Sequence, residues 1–245
     1  MGSYNHFALV YDELTENVEY EKRFEYMLCF FKKYGIQSGS RVLDLACGTG
    51  NFTSRFVKSG YIVTGIDSSE TMLTAAYTKC GGRAELLKGD MRTFSLPKKY
   101  NACVCCLDSL NHLSCIADVK STFMRVYESL EKGGLFIFDV NTVYKHDKIL
   151  AGNAFVFDKE AYFLSWDNES IAPGTVGIYL DLFIKKGSVY ERHSEYFEEK
   201  AYPINELQEA LNPFFDLVGI YDDLTFEKPK TASERLYFVC RSKNE

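Results

Sequence analysis

The chain has no surplus of basic residues: 28 Lys and Arg stand against 34 Asp and Glu, leaving a formal charge of −6. Proteins that grip nucleic acid phosphates or anionic membrane surfaces do so with clustered Lys and Arg, so a nucleic acid partner is disfavoured. Long apolar runs are missing as well. The longest, such as residues 102–107, fall far short of the roughly 20 residues that span a bilayer, and no membrane partner is expected. At the N-terminus, Met1-Gly2-Ser3-Tyr4-Asn5-His6 has no basic stretch leading into an apolar core, as a secretory signal would. His6 stands where a myristoylation motif needs Ser or Thr. A cytoplasmic location is the expectation. Internal repeats and low-complexity linkers are lacking too, so the chain reads as one domain.

Disulfide and metal signatures are equally lacking. Eight cysteines in a chain without a secretory signal are expected to stay reduced. Cys103, Cys105 and Cys106 fall within one apolar run, where strand alternation points neighbours to opposite faces and prevents convergence on an ion. They are expected in the core, and no metal site is expected.

What is present is a chain of 245 residues, 46% hydrophobic and 25% charged, proportions ordinary for a globular protein with a substantial core. Residues 4–34 carry Phe7, Leu14, Phe24, Met27 and Phe31 at mostly helical spacing and end at Gly35, a helix stop. Short apolar runs then alternate with helical stretches. Strands are predicted at 41–46, 61–66, 84–88, 100–107 and 135–140, and helices at 51–58, 69–79 and 116–130. Strands joined through helices imply right-handed crossovers and a mostly parallel sheet covered on both faces, an α/β, doubly wound fold. Past Asn141, the runs 155–167, 176–185 and 190–202 are rich in aromatic and β-branched residues with no helix between them. They predict a small antiparallel sheet inserted over 150–202. A helix at 204–211 and two closing strands, 215–226 and 235–241, return to the main sheet. The expected organisation is a single domain over 1–245, with an N-terminal helical lid at 1–35 and the β insertion at 150–202.

The chemistry-bearing stretch is Asp44-Leu45-Ala46-Cys47-Gly48-Thr49-Gly50, followed by Asp67. Glycines straight after a buried strand let the chain turn sharply and let a ligand lie against the main chain, beside the free amides of the next helix. A carboxylate at the end of the second strand can accept two hydrogen bonds from a ribose diol. The pair implies an adenosine-containing ligand. A dinucleotide fingerprint needs a third glycine where this chain has Thr53. Asp44 puts negative charge where a pyrophosphate would be repelled and an ammonium favoured, so the ligand should carry an amino group there.

These residues resemble the first motif of class I S-adenosylmethionine-dependent methyltransferases. The likeness continues in order through Gly65-Ile66-Asp67-Ser68-Ser69-Glu70-Thr71-Met72-Leu73, Gly89-Asp90-Met91-Arg92, Cys106-Leu107-Asp108-Ser109-Leu110-Asn111-His112-Leu113 and Leu130-Glu131-Lys132-Gly133-Gly134. Tyr11-Asp12-Glu13-Leu14 and the inserted sheet are similar to a small-molecule branch that includes amino-sugar and glycine N-methyltransferases. The resemblance implies a Rossmann-like, seven-stranded sheet with one reversed closing strand, S-adenosylmethionine as cofactor, S-adenosylhomocysteine as product and no metal. It implies that Gly48 and Gly50 admit the methionine portion against the backbone, that Asp44 favours its ammonium and that Asp67 holds the ribose, with Ala46 and Ser68 as further cofactor contacts. Asp90 would accept from the adenine amine, Met91 would offer its amide, and Met72 or Ile66 an apolar face. Leu107 and Asp108 would border the sulfonium and the incoming nucleophile. Tyr11, with Tyr4 as the weaker candidate, would cover the cofactor as part of the lid.

Because such a donor arrives with its methyl group activated, the protein has mainly to align a lone pair behind the methyl carbon and exclude water. An amine or phenol also needs a proton acceptor, and His112 is the best-placed imidazole by motif context; the alternative is that it packs a loop. Asp108, at the mouth of a parallel sheet, is costly unless paired or facing ligand. Trp166 and His193 are candidate substrate contacts from the inserted sheet, against the alternatives of sheet packing and an outward-facing position. Arg192 and Arg235 either meet an anionic substrate or lie on a solvated strand face, and 195–200 reads as an exposed edge. The expected function is methylation of a small-molecule acceptor, nitrogen favoured over oxygen. Two other readings stay open: an RNA-base methyltransferase, against which the acidic charge counts, and a non-catalytic protein that binds S-adenosylmethionine or a partner.

Overall fold

The computed structural model describes residues 7 and 10–244; the lid candidate Tyr4 lies outside them. The N-terminal segment is not one helix. A single turn, α1 (Tyr11–Leu14), and a 3-10 turn, Glu16–Val18, precede α2 (Tyr20–Lys33), and the break falls at Glu19, whose φ is +51°. The core then runs β1 (Arg41–Leu45), α3 (Asn51–Lys58), β2 (Ile62–Asp67), α4 (Glu70–Cys80), β3 (Glu85–Lys88), β4 (Tyr100–Cys105), α5 (Ile116–Ser129) and β5 (Leu130–Asn141). A second sheet follows, β6 (Ala154–Asp158), β7 (Tyr162–Ala172), β8 (Thr175–Lys186) and β9 (Val189–Lys200). The chain closes with α6 (Ile204–Leu211), β10 (Phe215–Asp222) and β11 (Arg235–Ser242).

The main sheet has seven strands in the order β10-β11-β5-β4-β1-β2-β3. β1 to β5 pair in parallel, while β11 is antiparallel to both β5 and β10. One reversed strand in a seven-stranded, doubly wound sheet is the fold expected above. From β1 the chain steps outward through β2 to β3, then returns to the other side of β1 with β4. The topological switch therefore lies between β1 and β4, where the crevice of such a sheet opens at the carboxyl ends of the strands.

Both faces are covered. Leu43, Cys103, Cys105 and Phe138 pack with Val119, Phe123 and Val126 of α5. On the other face Val42, Val104, Cys106 and Ile137 pack with Met27 and Phe31 of α2 and Phe52 and Phe56 of α3. The apolar positions of α5 recur three and four residues apart, which aligns them on one helix face. The three neighbouring cysteines are core residues, divided between the two faces.

Three boundaries differ from expectation. β5 begins at Leu130, not Leu135: Leu130 pairs with Tyr100 before the register jumps to Ala102 with Leu135, and Gly133 absorbs the extra residues at a φ of +69°. β10 stops at Asp222, where the Thr225 amide donates to the Asp222 carbonyl and turns the chain. The run over 155–167 is two strands, with Phe155 of β6 opposite Trp166 of β7. β9 pairs with β8 alone and is an edge, but Glu199 on it is buried, so 195–200 is not an exposed run throughout. The inner face of the second sheet packs Leu164, Ile178, Leu180 and Leu182 against Phe7, Val10 and Leu14, which holds α1 to that sheet. No helix among the described residues is long and apolar enough to cross a membrane.

Candidate active site

The ends of β1, β2 and β4 converge at the switch point. Past β1, Ala46, Gly48 and Gly50 take φ values of +56°, +53° and +78°, and an alanine in the left-handed region is strained backbone of the kind that collects at functional sites. A Cβ added to Gly48 would have nothing within 4 Å, so glycine keeps the main chain open to a ligand there. Gly50 differs. A Cβ on it would stand 2.9 Å from the Ala76 Cβ of α4, and Gly50 is absent from the residues lining the cleft. Its small size serves the close packing of α3 on α4.

Asp67, at the end of β2, accepts from the amides of Gly48 and Ser69, each at 2.8 Å. It thereby stitches the glycine turn to the start of α4, where the Ser69 hydroxyl accepts from the Met72 amide. Burial pushes its carboxyl up. Asp44 is buried and accepts from the Thr53 hydroxyl at 2.5 Å, so the residue in place of a third glycine is there to satisfy this carboxyl. Burial, reinforced by the nearby charge of Asp67, pushes Asp44 up to about 7; a cation brought beside it would restore the ionised form.

A cavity of about 230 Å³ runs along this turn, lined by Tyr11, Asp44, Ala46, Gly48, Asp67, Ser68, Met72, Met91, Leu107 and His112. It continues into a second of about 250 Å³ bordered by Ile66, Asp90, Met91 and Arg92. Asp90 is already paired with Arg92 at 2.5 Å, and Arg92 reaches Asp118 at 3.1 Å. A carboxylate has lone pairs to spare beyond such a pair.

A third cavity, about 330 Å³, lies under the second sheet. Trp166, Ile178, Leu180 and Phe197 share its roof, because Trp166 pairs with Leu180 and Ile178 with Phe197. Its floor holds Asp108, Asn141, Lys145, Glu199 and Arg235. Leu107 and Asp108 take φ values of +57° and +51°, and Asp139 of β5 holds that turn by accepting from both amides, at 2.8 and 3.1 Å. Arg235 of β11 donates to Asp108 at 2.6 Å and also to Asp139. Burial alone would raise the Asp108 carboxyl, but the charges of Arg235 and Lys145 hold it below the usual range. Asp108 thus sits in this cavity and not in the glycine-turn cleft, and Arg235, its side chain 11% exposed, is held in ion pairs.

Tyr11, Leu107 and His112 line both the glycine-turn cavity and the one under the second sheet. His112 is on the 3-10 turn Ser109–His112, its Nε2 3.6 Å from Glu199 Oε1 and its ring 5.3 Å from that of Phe197. Burial pushes its pKa down. Trp166 is brought to the site; His193 is not. It lies on the packed face opposite Leu182, four residues and about 13 Å of strand from Phe197, with its Nε2 3.5 Å from Glu191 Oε1. Arg192 pairs with Asp181 on the exposed side. Among the described residues, no group of three or more His, Cys, Asp or Glu is placed to hold a metal ion.

Sequence reasoning missed Asp12, Tyr20, Lys145 and Glu199. Asp12 accepts from the Thr49 hydroxyl at 2.6 Å and from Asn51 at 3.0 Å, and pairs with Lys79 at 2.7 Å. That anchors α1 on the glycine turn and sets Tyr11 over the cleft.

Residues 42–134 match a family described as a methyltransferase domain. A Geobacillus sp. (strain WCH70) chain, described provisionally as a methyltransferase, is 33% identical over 245 residues, covering 98% of this chain and 99% of its own. The dTDP-3-amino-3,4,6-trideoxy-alpha-D-glucopyranose N,N-dimethyltransferase of Streptomyces venezuelae is 35% identical over 100 residues, 41% of this chain and 42% of that one. The crystal structure of an S-adenosylmethionine-dependent methyltransferase from Clostridium acetobutylicum ATCC 824 superposes with a TM-score of 0.87 at 29% identity, covering 98% of this chain and 99% of that chain.

Proposed function

The chain belongs to the class I S-adenosylmethionine-dependent methyltransferases, and from that premise we propose that it methylates a nitrogen of a small molecule held beneath the second sheet. The observation that carries this reading is the meeting of two cavities at Tyr11, Leu107 and His112. The glycine-turn cleft fits the cofactor: an open main chain at Gly48, a buried carboxyl at Asp44 that a cation would ionise, and Asp67 at the end of β2. When bound, the cofactor supplies a methyl group already activated on a sulfonium.

The rest falls to this chain. Asp44 meets the ammonium, Asp67 and Ser68 the ribose, and Asp90, Met91 and Met72 the base, while Gly48 and Ala46 present main chain. Tyr11, held down through Asp12, closes the cleft and excludes water. Trp166, Phe197 and the aliphatic residues of β8 wall the acceptor, with Asp108 and Lys145 offering it polar partners. His112, neutral at pH 7 because burial lowers its pKa, takes the proton that the methylated nitrogen releases. A cavity of about 330 Å³ suits a compact acceptor better than a polymer, and an N,N-dimethyltransferase among the relatives supports nitrogen. In this reading the chain is one domain, with α1 and the second sheet roofing the crevice.

The test is incubation of cell extract with the purified protein and radiolabelled methyl donor, followed by mass spectrometry of labelled products. An N-methylated compound of low mass is expected. Label confined to RNA would replace this reading with base methylation, and cofactor binding without label transfer would replace it with a sensor.

A further inference from the structure

Glu199 reaches into the floor of the acceptor cavity from the edge strand β9 and is buried between two imidazoles. Its Oε1 is 3.6 Å from His112 Nε2 and its Oε2 is 3.8 Å from His146 Nε2. His146, on the π-helical turn Lys145–Leu150, is fully buried, and its Nδ1 lies 2.9 Å from the Gly174 carbonyl oxygen. A carbonyl only accepts, so Nδ1 carries the hydrogen and Nε2 the lone pair. That Nε2 has no hydrogen-bond partner, although it points at Glu199.

From this geometry, and resting on the reading of His112 given above, we propose that Glu199 is a positioning residue that sets the tautomer of His112. The order runs in one direction. Gly174 fixes His146; His146 Nε2 accepts from a protonated Glu199 Oε2; Glu199 Oε1 accepts from His112 Nε2–H; and Nδ1 of His112 is left with the lone pair. Distances of 3.6 and 3.8 Å are longer than formed hydrogen bonds, and small side-chain rotations close both contacts in the acceptor-free protein. In the reaction the acceptor nitrogen forms its bond to the methyl carbon, the carbon–sulfur pair stays on sulfur, and the nitrogen's proton moves to His112 Nδ1.

The groups around this chain agree with a neutral, protonated Glu199. Asp108 beyond β4 opposes its ionisation, while Lys145 on the turn and Arg235 on β11 favour it. Burial, reinforced by Asp108, outweighs the two cations and pushes the carboxyl up to about 8. Asp67 of β2 and Asp108 face His112, and Asp147, Asp108 and Lys145 face His146.

The test is imidazole 15N NMR on the full chain, which needs no acceptor. In the unaltered protein His112 should show a lone pair on Nδ1, and the His112 and His146 signals should both move in a step near pH 8 as Glu199 titrates. Glu199→Gln can accept from His112 and donate to His146 as the acid does, so the tautomer should persist while the upper step vanishes. Glu199→Ala should shift the His112 tautomer balance away from the Nδ1 lone pair. An upper step that survives in Glu199→Gln, or an Nδ1 lone pair that survives in Glu199→Ala, would overturn the proposal. Failure of methyl transfer to depend on His112 would instead overturn the reading beneath it and leave these spectra unchanged.

Discussion

Asp12 of α1 and Lys79 of α4 close an ion pair at 2.7 Å across the glycine turn, and the same carboxylate accepts from Thr49 and Asn51. One side chain therefore ties α1 to both helices that flank the cleft. Burial would raise its pKa, but hydrogen bonds from Lys79 and Thr49 bring it below the usual value.

Asp12→Ala is expected to weaken S-adenosylmethionine binding about tenfold. It removes hydrogen bonds worth about 0.5–1.5 kcal/mol each and a half-exposed ion pair that adds less than about 1 kcal/mol. Global stability should change little, because the Asp12 side chain is half-exposed. The pH dependence has a definite sign: a depressed folded pKa makes the latch fully effective above about pH 4 and weakens it as pH falls through the folded value. Calorimetric titrations at neutral and acid pH check both points, and equal affinity in the variant would remove the latch from cofactor binding.

Asp67→Ala should cost about 1–3 kcal/mol in cofactor affinity through the lost carboxylate partner. The structure adds a second consequence: the Gly48 and Ser69 amides lose their acceptor, so the glycine turn itself should loosen. Faster amide hydrogen exchange at Gly48 and Ser69, read alongside the calorimetry, separates the two effects. An unchanged dissociation constant would take Asp67 away from the ribose.

Arg235→Met should destabilise the fold by about 3–5 kcal/mol, the usual effect of stripping one partner from a buried ion pair. Asp108 and Asp139 would both be left without their cation. Asp108 is held below the ordinary carboxylate range, so its contribution is present above the unfolded pKa and fades as pH drops through the folded one. Urea unfolding at pH 7 and well below about pH 4 should show the variant's deficit shrinking at the lower pH. A deficit that is the same at both would mean that packing, not charge, makes Arg235 important.

The main sheet was legible because its strands are apolar runs and several are closed by an acid or a glycine, as with Asp67 ending β2 and Gly89 following β3. The cleft proposed for the cofactor was legible for the same reason: the residues lining it stand at the strand ends. The acceptor side was not. Glu199 lies in the acidic run Glu195 to Lys200, and alternation along β9 shows two faces without saying which one is covered. Arg235 opens a closing strand whose partners, Asp108 and Asp139, stand about a hundred residues earlier. His193 has the right strand parity and the wrong place along it, a distinction that depends on hairpin register and on nothing local.

His112→Asn should slow methyl transfer at saturating cofactor by about a hundredfold or more, the usual worth of a positioned base, while cofactor affinity stays within about twofold because Asn keeps a hydrogen-bonding group in the cleft. Burial pushes the His112 pKa down, so the ring is neutral and able to accept at pH 7, and kcat should fall only on the acid side of the ordinary imidazole range. The variant should lose that acid limb along with the rate. Stability follows the same sign: a histidine with a depressed folded pKa supports the fold above its unfolded value of about 6.5 and ceases to as pH falls through the folded one. Rates measured from pH 5 to 9 with the acceptor found by label transfer decide the matter, and an acid limb that persists in His112→Asn would assign proton removal to another group in the cavity.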